Sequence, residues 1–226
     1  MLNIVGSLLL AIIIGYLWGS LPSGYWMGKL LRGKDFDIRD YGSHKTGATN
    51  VLRTLGKGPA AIVFLFDISK GIGPTLLALL VPALNVHGWG PALAGLAALI
   101  GHCYPIFIGF KGGRGVMTGG GGLLIISPLT FFISMITTFS TIAISRYVSL
   151  GSIVGSATSI VCGIIFYFIG WLPLPYLVFM VAAPALVIIL HYDNIQRLLA
   201  GKERKIGQKE AISSNTPQNT STEVKA

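Results

Sequence analysis

Apolar runs with almost no charge recur along this chain, near residues 4–28, 58–81, 88–109, 115–127, 129–145, 149–170 and 175–190. About 20 helical residues span the hydrocarbon of a bilayer. In that medium each backbone N–H and C=O must be satisfied within its own segment, so the runs predict helices. The fourth run would be only ~20 Å long as a helix; it holds Gly119 to Gly122 and stops before Pro128. It is either a short crossing or a broken, re-entrant piece. The expected fold is an all-α polytopic membrane protein with about seven transmembrane helices, or five plus a re-entrant hairpin over 115–145.

With 52% hydrophobic and 11% charged residues, the chain lacks the polar surface a soluble domain needs. The net charge of +9 does not imply a nucleic-acid partner, because the cations flank apolar runs and form no basic helix or aromatic-interleaved patch. They orient the chain instead. Loops 29–57, Lys111 with Arg114, Arg146, and Arg197 to Lys209 carry the Lys and Arg, whereas the loops near 82–90 and 171–175 carry none. The positive-inside rule then places the N-terminus outside and the C-terminus in the cytoplasm. Residues 1–28 have no basic leader and too long an apolar stretch for a cleaved signal, so they are read as a span. Residues 1–209 form one membrane domain, and 210–226, rich in Ser, Thr and Asn, form an expected disordered tail. Cys103 and Cys162 have neither metal-ligand spacing nor a disulfide framework and are read as packing residues.

Three polar clusters interrupt the apolar sequence, all on the side assigned to the cytoplasm: Ser43 to Asn50 with Arg53, Phe110 to Gly115, and His191 to Glu203. Glycine-freed backbone amides, hydroxyls and cations together make an anion cradle. In the first cluster Gly47 permits close backbone approach, Thr49 and Asn50 offer donors, and Arg53 offers a planar fork suited to phosphate. In the second, Lys111 and Arg114 with Gly112 and Gly113 form a cationic nest, and the helix that follows would aim its N-terminus at the same place. The spacing is not that of a P-loop and gives no support to an ATP site. In the third, a helix continuing past the membrane would put His191 and Asn194 on one face with Arg197 beyond them, and Glu203 would pair with Arg197 or a nearby lysine. Ser149 lies in a short polar turn after Arg146. The bland alternatives are a solvated loop for the first cluster and a positive-inside anchor for the second.

Gly19 to Tyr25, Gly42-Ser43 leading to Gly47-Ala48-Thr49-Asn50-Val51-Leu52-Arg53, Gly101-His102 with Pro105, Phe110 to Val116, and the run from His191 and Asn194 through Arg197 and Gly201 to Glu203 resemble the bacterial membrane acyl-phosphate:glycerol-3-phosphate acyltransferases. The match covers roughly residues 15–205. The resemblance implies transfer of a fatty acyl group from acyl phosphate to the sn-1 hydroxyl of glycerol 3-phosphate, giving lysophosphatidate and inorganic phosphate at the cytoplasmic face of a bacterial cell membrane. It implies no cofactor and no metal, and an upstream enzyme that supplies acyl phosphate. It further implies that the loop with Gly47, Thr49 and Asn50 cradles the donor phosphate, that Ser43 and Arg53 hold glycerol 3-phosphate, and that Ser149 assists at the acceptor. Lys111, Arg114 and His191 are the expected catalytic residues. The chain departs from the family at His44-Lys45, where Gly-Asn is usual, and at Arg114, where Lys is usual. Lys45 then becomes a further candidate for the donor phosphate.

Other residues have plainer readings. Asp67 and Lys70 sit three apart in the second run and pair internally, or form a proton relay. His102 ends the third run, either hydrogen-bonding the helix end or taking part in chemistry. Gly15-x-x-x-Gly19, Gly24-x-x-x-Gly28 and Gly151-x-x-x-Gly155 permit close helix approach. An acyl phosphate is already activated, so direct attack by the acceptor hydroxyl suffices, and the proton goes to His191 or, preferably, to a substrate phosphate whose second pKa is about 6. The competing function is a small phosphate or organophosphate transporter, although no cation marks the outer loops.

Overall fold

The computed structural model describes residues 3–207, and among these the ordered elements are all helical. The expected tail at 210–226 lies outside the described residues. The helices are α1 (Ile4–Gly19), α2 (Ser23–Arg32), α3 (Ala48–Thr54), α4 (Lys57–Leu80), α5 (Pro82–Asn85), α6 (Trp89–Cys103), α7 (Val116–Ile126), α8 (Pro128–Ser145), α9 (Val148–Phe168), α10 (Leu174–Ile189) and α11 (Tyr192–Leu199), with single 3₁₀ turns at Ile38–Asp40 and Ile106–Ile108. Five stretches are long and apolar enough to cross a membrane: Ile4–Arg32, Lys57–Leu80, Trp89–Ile108, Pro128–Ser145 and Val148–Phe168. The sequence boundaries hold closely, with two differences at breaks. Pro22 interrupts the first run between α1 and α2, since proline cannot supply a helical N–H. The last run ends at Ile189, and α11 leaves α10 at 57°, so the expected straight continuation through His191 is replaced by a bend.

Small residues let the backbones approach. A Cβ at Gly15 or Gly19 would collide with the carbonyl of Ala94 or Ala98, and one at Gly151 or Gly155 would meet Ile142 or Thr138. Two of the three expected glycine pairs therefore seat α1 on α6 and α9 on α8. The third does not join spans: Gly24 lies against the Thr46 carbonyl and Gly28 against Phe36, both in the loop after α2. These contacts also set direction. Gly15 and Gly19 meet Ala94 and Ala98 in order, so α1 and α6 run parallel. Thr118 donates to the Asp67 carbonyl (2.9 Å) and Gly122 faces Thr75, so α7 runs parallel to α4. The chain thereby brings the ends of α1, α6, α8 and α10 and the starts of α4, α7 and α9 to one side of the bundle, where all three polar clusters lie.

Leu99, Leu123, Ile126, Phe179, Met180 and Val187 form the main core between α6, α7 and α10. Cys103 is buried in it and Cys162 packs on its edge. Large apolar side chains such as Leu65, Phe132, Ile136, Ile144 and Phe168 point outward and are exposed, as expected where the solvent is lipid.

Candidate active site

A cavity of about 220 Å³ opens where the polar clusters converge. Its rim is the loop before α3, which has little secondary structure and is held by one side chain. Asn50 is buried, its amide nitrogen donates to the carbonyls of Ile38 (3.0 Å), Tyr41 (3.0 Å) and Lys45 (2.8 Å), and its Oδ1 accepts from the Ser43 N–H at 2.8 Å. Asn50 is thus a scaffold for the loop, and the expectation that it donates to a phosphate is corrected: its donors are already engaged. Ser43, Lys45, Gly47, Thr49 and Arg53 line the cavity around it. His44 sits in the left-handed region at φ 55°, where glycine is at ease and a side chain is strained. Its Nδ1 bonds the Arg39 carbonyl at 2.8 Å, which offsets that strain. Arg39 is in turn paired with Asp37 at 2.7 Å, donates to the Ile108 carbonyl at 2.8 Å and lies over the Tyr25 ring, tying the first loop to the second. The hydrogen bond from Arg39 holds the Asp37 carboxyl below its usual range.

The second cluster divides. Gly112 and Gly113 donate their N–H groups to the carbonyls of Cys103 and His102 (3.1 Å each). They cap α6, they do not line the cavity, and a Cβ on either would strike His102. Lys111 is exposed and likewise absent from the lining. The expected nest of Lys111, Gly112, Gly113 and Arg114 is therefore corrected: the first three form a turn that delivers Arg114. Arg114, with Gly115, Val116 and Met117 at the start of α7, faces the cavity. Among the described residues its buried Nε has no hydrogen-bond partner, and no carboxylate pairs with it within 4 Å. Burial, and next the charge of Arg197, push its pKa down, although arginine remains charged at neutral pH.

The third cluster is built on Glu203. Its Oε1 accepts from Ser149 Oγ and Asn194 Nδ2, both at 2.7 Å, and its Oε2 pairs with Arg197 Nε at 2.7 Å. Burial alone would raise its pKa, but these three hydrogen bonds win and hold it below the usual carboxylate value. Glu203 thus fixes Ser149 and leaves Asn194 Oδ1 buried, at the cavity wall, without a partner among the described residues. His191 donates from Nδ1 to the Val187 carbonyl at 2.8 Å, since a carbonyl can only accept. Its Nε2 then carries the lone pair. Burial pushes its pKa down to about 4, winning over the upward pull of the Val187 bond, with the nearby Arg114 charge adding to the lowering. His191 and Asn194 meet at the cavity despite the bend between α10 and α11, each offering an acceptor suited to a hydroxyl.

Two groups from the spans also line the cavity. Asp67 pairs with Lys70 at 2.7 Å, Ser23 Oγ bonds both, and His102 Nδ1 lies 3.6 Å from Asp67. The pairing expected from their spacing is present; Ser23 as its third member carried no signal beyond its place in the glycine-rich segment. The motifs also gave no hint of the apolar wall, made of Phe64, Met117, Met135, Phe139, Ile142 and Val148. Through Phe64, Val116, Met117, Met135, Thr138 and Ser152 it continues into a second cavity of about 280 Å³ that runs between α7, α8, α9 and α10 to Leu123, Phe131, Ser159 and Phe179.

A family model described as glycerol-3-phosphate acyltransferase matches residues 9–201. The chain is 41% identical to the glycerol-3-phosphate acyltransferase 3 of Dehalococcoides mccartyi over 91% of its length and 99% of that protein's. It is 44% identical to the glycerol-3-phosphate acyltransferase of Trichormus variabilis, over 88% and 91%. Its fold matches the crystal structure of PlsY, an integral membrane glycerol 3-phosphate acyltransferase, in the glycerol 3-phosphate form, with TM-score 0.80, 37% identity and coverage of 89% and 96%. The lysophosphatidic acid form of PlsY matches with TM-score 0.77 and 38% identity.

Proposed function

This chain belongs to the glycerol-3-phosphate acyltransferase family, and on that premise we propose that it transfers an acyl group from acyl phosphate to the sn-1 hydroxyl of glycerol 3-phosphate, releasing lysophosphatidate and inorganic phosphate. The observation that carries this reading is the joining of a cationic chamber to an apolar one. One chamber presents Lys45, Arg53 and Arg114 to phosphate, and the other has the shape and lining for a hydrocarbon chain. The reacting carbonyl then sits at their junction.

Lys45 and the Gly47-Thr49 rim hold the donor phosphate, and Ser43 and Arg53 the phosphate of the acceptor. Arg114, charged and with no carboxylate partner among the described residues, stabilises negative charge as it develops on the carbonyl oxygen and the leaving phosphate. His191 Nε2, Asn194 Oδ1 and Ser149 orient the glycerol hydroxyls. The attacking oxygen forms its bond to the carbonyl carbon, the carbon–oxygen bond to phosphate breaks with its electron pair going to phosphate, and the hydroxyl proton passes to a phosphate oxygen. A histidine with pKa about 4 is a weak base at neutral pH, which supports positioning over proton removal. Holding both substrates in one pocket supplies the proximity the reaction needs.

The same reading places residues 1–209 as one domain in a bacterial cell membrane, with seven crossings, the N-terminus outside and this site at the cytoplasmic face. In support, α7 reaches Gly122 beside Thr75, and its last turn adds ~6 Å, close to the depth of the end of α4. Labelled glycerol 3-phosphate supplied to the purified protein should be converted to lysophosphatidate with acyl phosphate and not with acyl-CoA. Efficient use of acyl-CoA would overturn the donor assignment, and lack of turnover with either donor would overturn the acyl-transfer reading for this site.

A further inference from the structure

The apolar chamber is not apolar throughout. Ser134 on α8 and Ser159 on α9 line its deep end, are 7% and 2% exposed, and have hydroxyls without a hydrogen-bond partner among the described residues. Other hydroxyls on these two helices satisfy themselves on the preceding turn: Thr141 on Thr137 (2.7 Å), Ser145 on Thr141 (2.6 Å), Ser152 on Val148 (3.0 Å) and Thr158 on Val154 (2.9 Å). Ser134 and Ser159 do not. The antiparallel register of α8 and α9, fixed by Gly155 against Thr138 and by Thr137 Oγ1 to Thr158 Oγ1 at 3.1 Å, puts them at one level on two neighbouring helices.

We propose that this hydroxyl pair is a length gauge for the acyl chain, favouring donors whose chain stops before it and disfavouring saturated chains long enough to cover it. The inference rests on the acyl-transfer reading above. Ser149, in the polar cavity one turn before the junction residue Ser152, and Ser159 are ten residues apart on α9, or ~15 Å along the axis. An extended chain advances about 3.5 Å over three backbone bonds, so a hydrocarbon anchored by its carbonyl near Ser149 reaches the pair after about 13 bonds. Up to that length the hydroxyls stay free to bond water. A longer saturated chain covers them and offers no acceptor or donor in return, which leaves two buried polar groups unsatisfied.

The test uses the purified full chain, a series of acyl phosphates from 10 to 18 carbons, and the Ser134→Ala/Ser159→Ala double variant. The double variant should raise kcat/KM for the 16-carbon donor relative to the 10-carbon donor by on the order of tenfold, about 1.4 kcal/mol, with the 10-carbon value unchanged. An unchanged ratio, or equal losses for all chains, overturns the gauge. Binding of 10- and 16-carbon lysophosphatidates, read by thermal shift, follows the same pocket without any donor. A wild-type protein inert with acyl phosphate thus refutes the donor reading, while the ratio of lysophosphatidate affinities still decides the gauge. The single variants, each removing one oxygen atom, give half the effect and decide it if the double variant does not fold.

Discussion

Removing Glu203 should unfold the third cluster as a unit. Its carboxylate is the acceptor for Ser149 and Asn194, both buried, and for Arg197, whose side chain is 42% exposed. In Glu203→Ala the buried Ser149 and Asn194 donors lose their partner, at about 1–3 kcal/mol each. The exposed Arg197 pair adds no more than about 1 kcal/mol. The expected cost is ~2–7 kcal/mol, which for a chain of this length lowers Tm in detergent by on the order of 10 °C. Glu203→Gln keeps one acceptor and should lose about half as much, and Arg197→Ala should lose little. The glycerol 3-phosphate KM should rise in step, because Asn194 and Ser149 are no longer aimed. Thermal unfolding and acceptor titration of the three variants check this. A Glu203→Ala protein with wild-type Tm and KM would refute the hub, as would Arg197→Ala proving as damaging.

Arg114→Gln should lower kcat/KM by about ten- to a hundredfold, the loss of one charge-assisted contact, while Lys111→Ala, altering an exposed residue outside the cavity, should stay near wild type in the same steady-state assay. Asn50→Asp places a carboxylate against three carbonyls and should depress Tm sharply, whereas Thr49→Ala should leave Tm unchanged and raise a substrate KM. His191 is neutral when folded down to about pH 4 but protonates near 6.5 when unfolded, so the unfolded state binds more protons between these values. Stability should therefore fall as pH drops from 6.5 to 4, by up to ~3 kcal/mol, and His191→Gln should flatten that slope in unfolding curves. Glu203, lowered from 4.5, contributes stability above its ordinary value that is lost only at still lower pH.

The helices were legible because lipid imposes one rule: an apolar run of sufficient length has no other way to satisfy its backbone. The glycine pairs on α1 and α9 were legible for the same reason, small residues at helical spacing being the device that closes spans. The site was legible as three clusters but not in its division of labour. Asn50, Gly112 and Gly113 have the chemistry of phosphate ligands, yet their polar groups are engaged by carbonyls that only the folded loop brings near. Lys111 and Arg114 are both cations in one motif, and which of them faces the cavity depends on the α6 cap. The apolar chamber left no motif, because its walls are ordinary apolar side chains on four helices. Its serine pair hid among many hydroxyls and stands out only because neighbouring ones bond the preceding turn.

Phosphorus NMR of one sample, holding the wild-type protein in bilayers with glycerol 3-phosphate and acyl phosphate, tests the central claim most directly. All four phosphorus species are resolved together. The account predicts that both substrate signals decline at one rate while lysophosphatidate and inorganic phosphate grow at that same rate, and that Arg114→Gln slows all four equally. Loss of acyl phosphate to inorganic phosphate without lysophosphatidate would contradict it, as would movement of glycerol 3-phosphate across the bilayer with no change in any phosphorus bond.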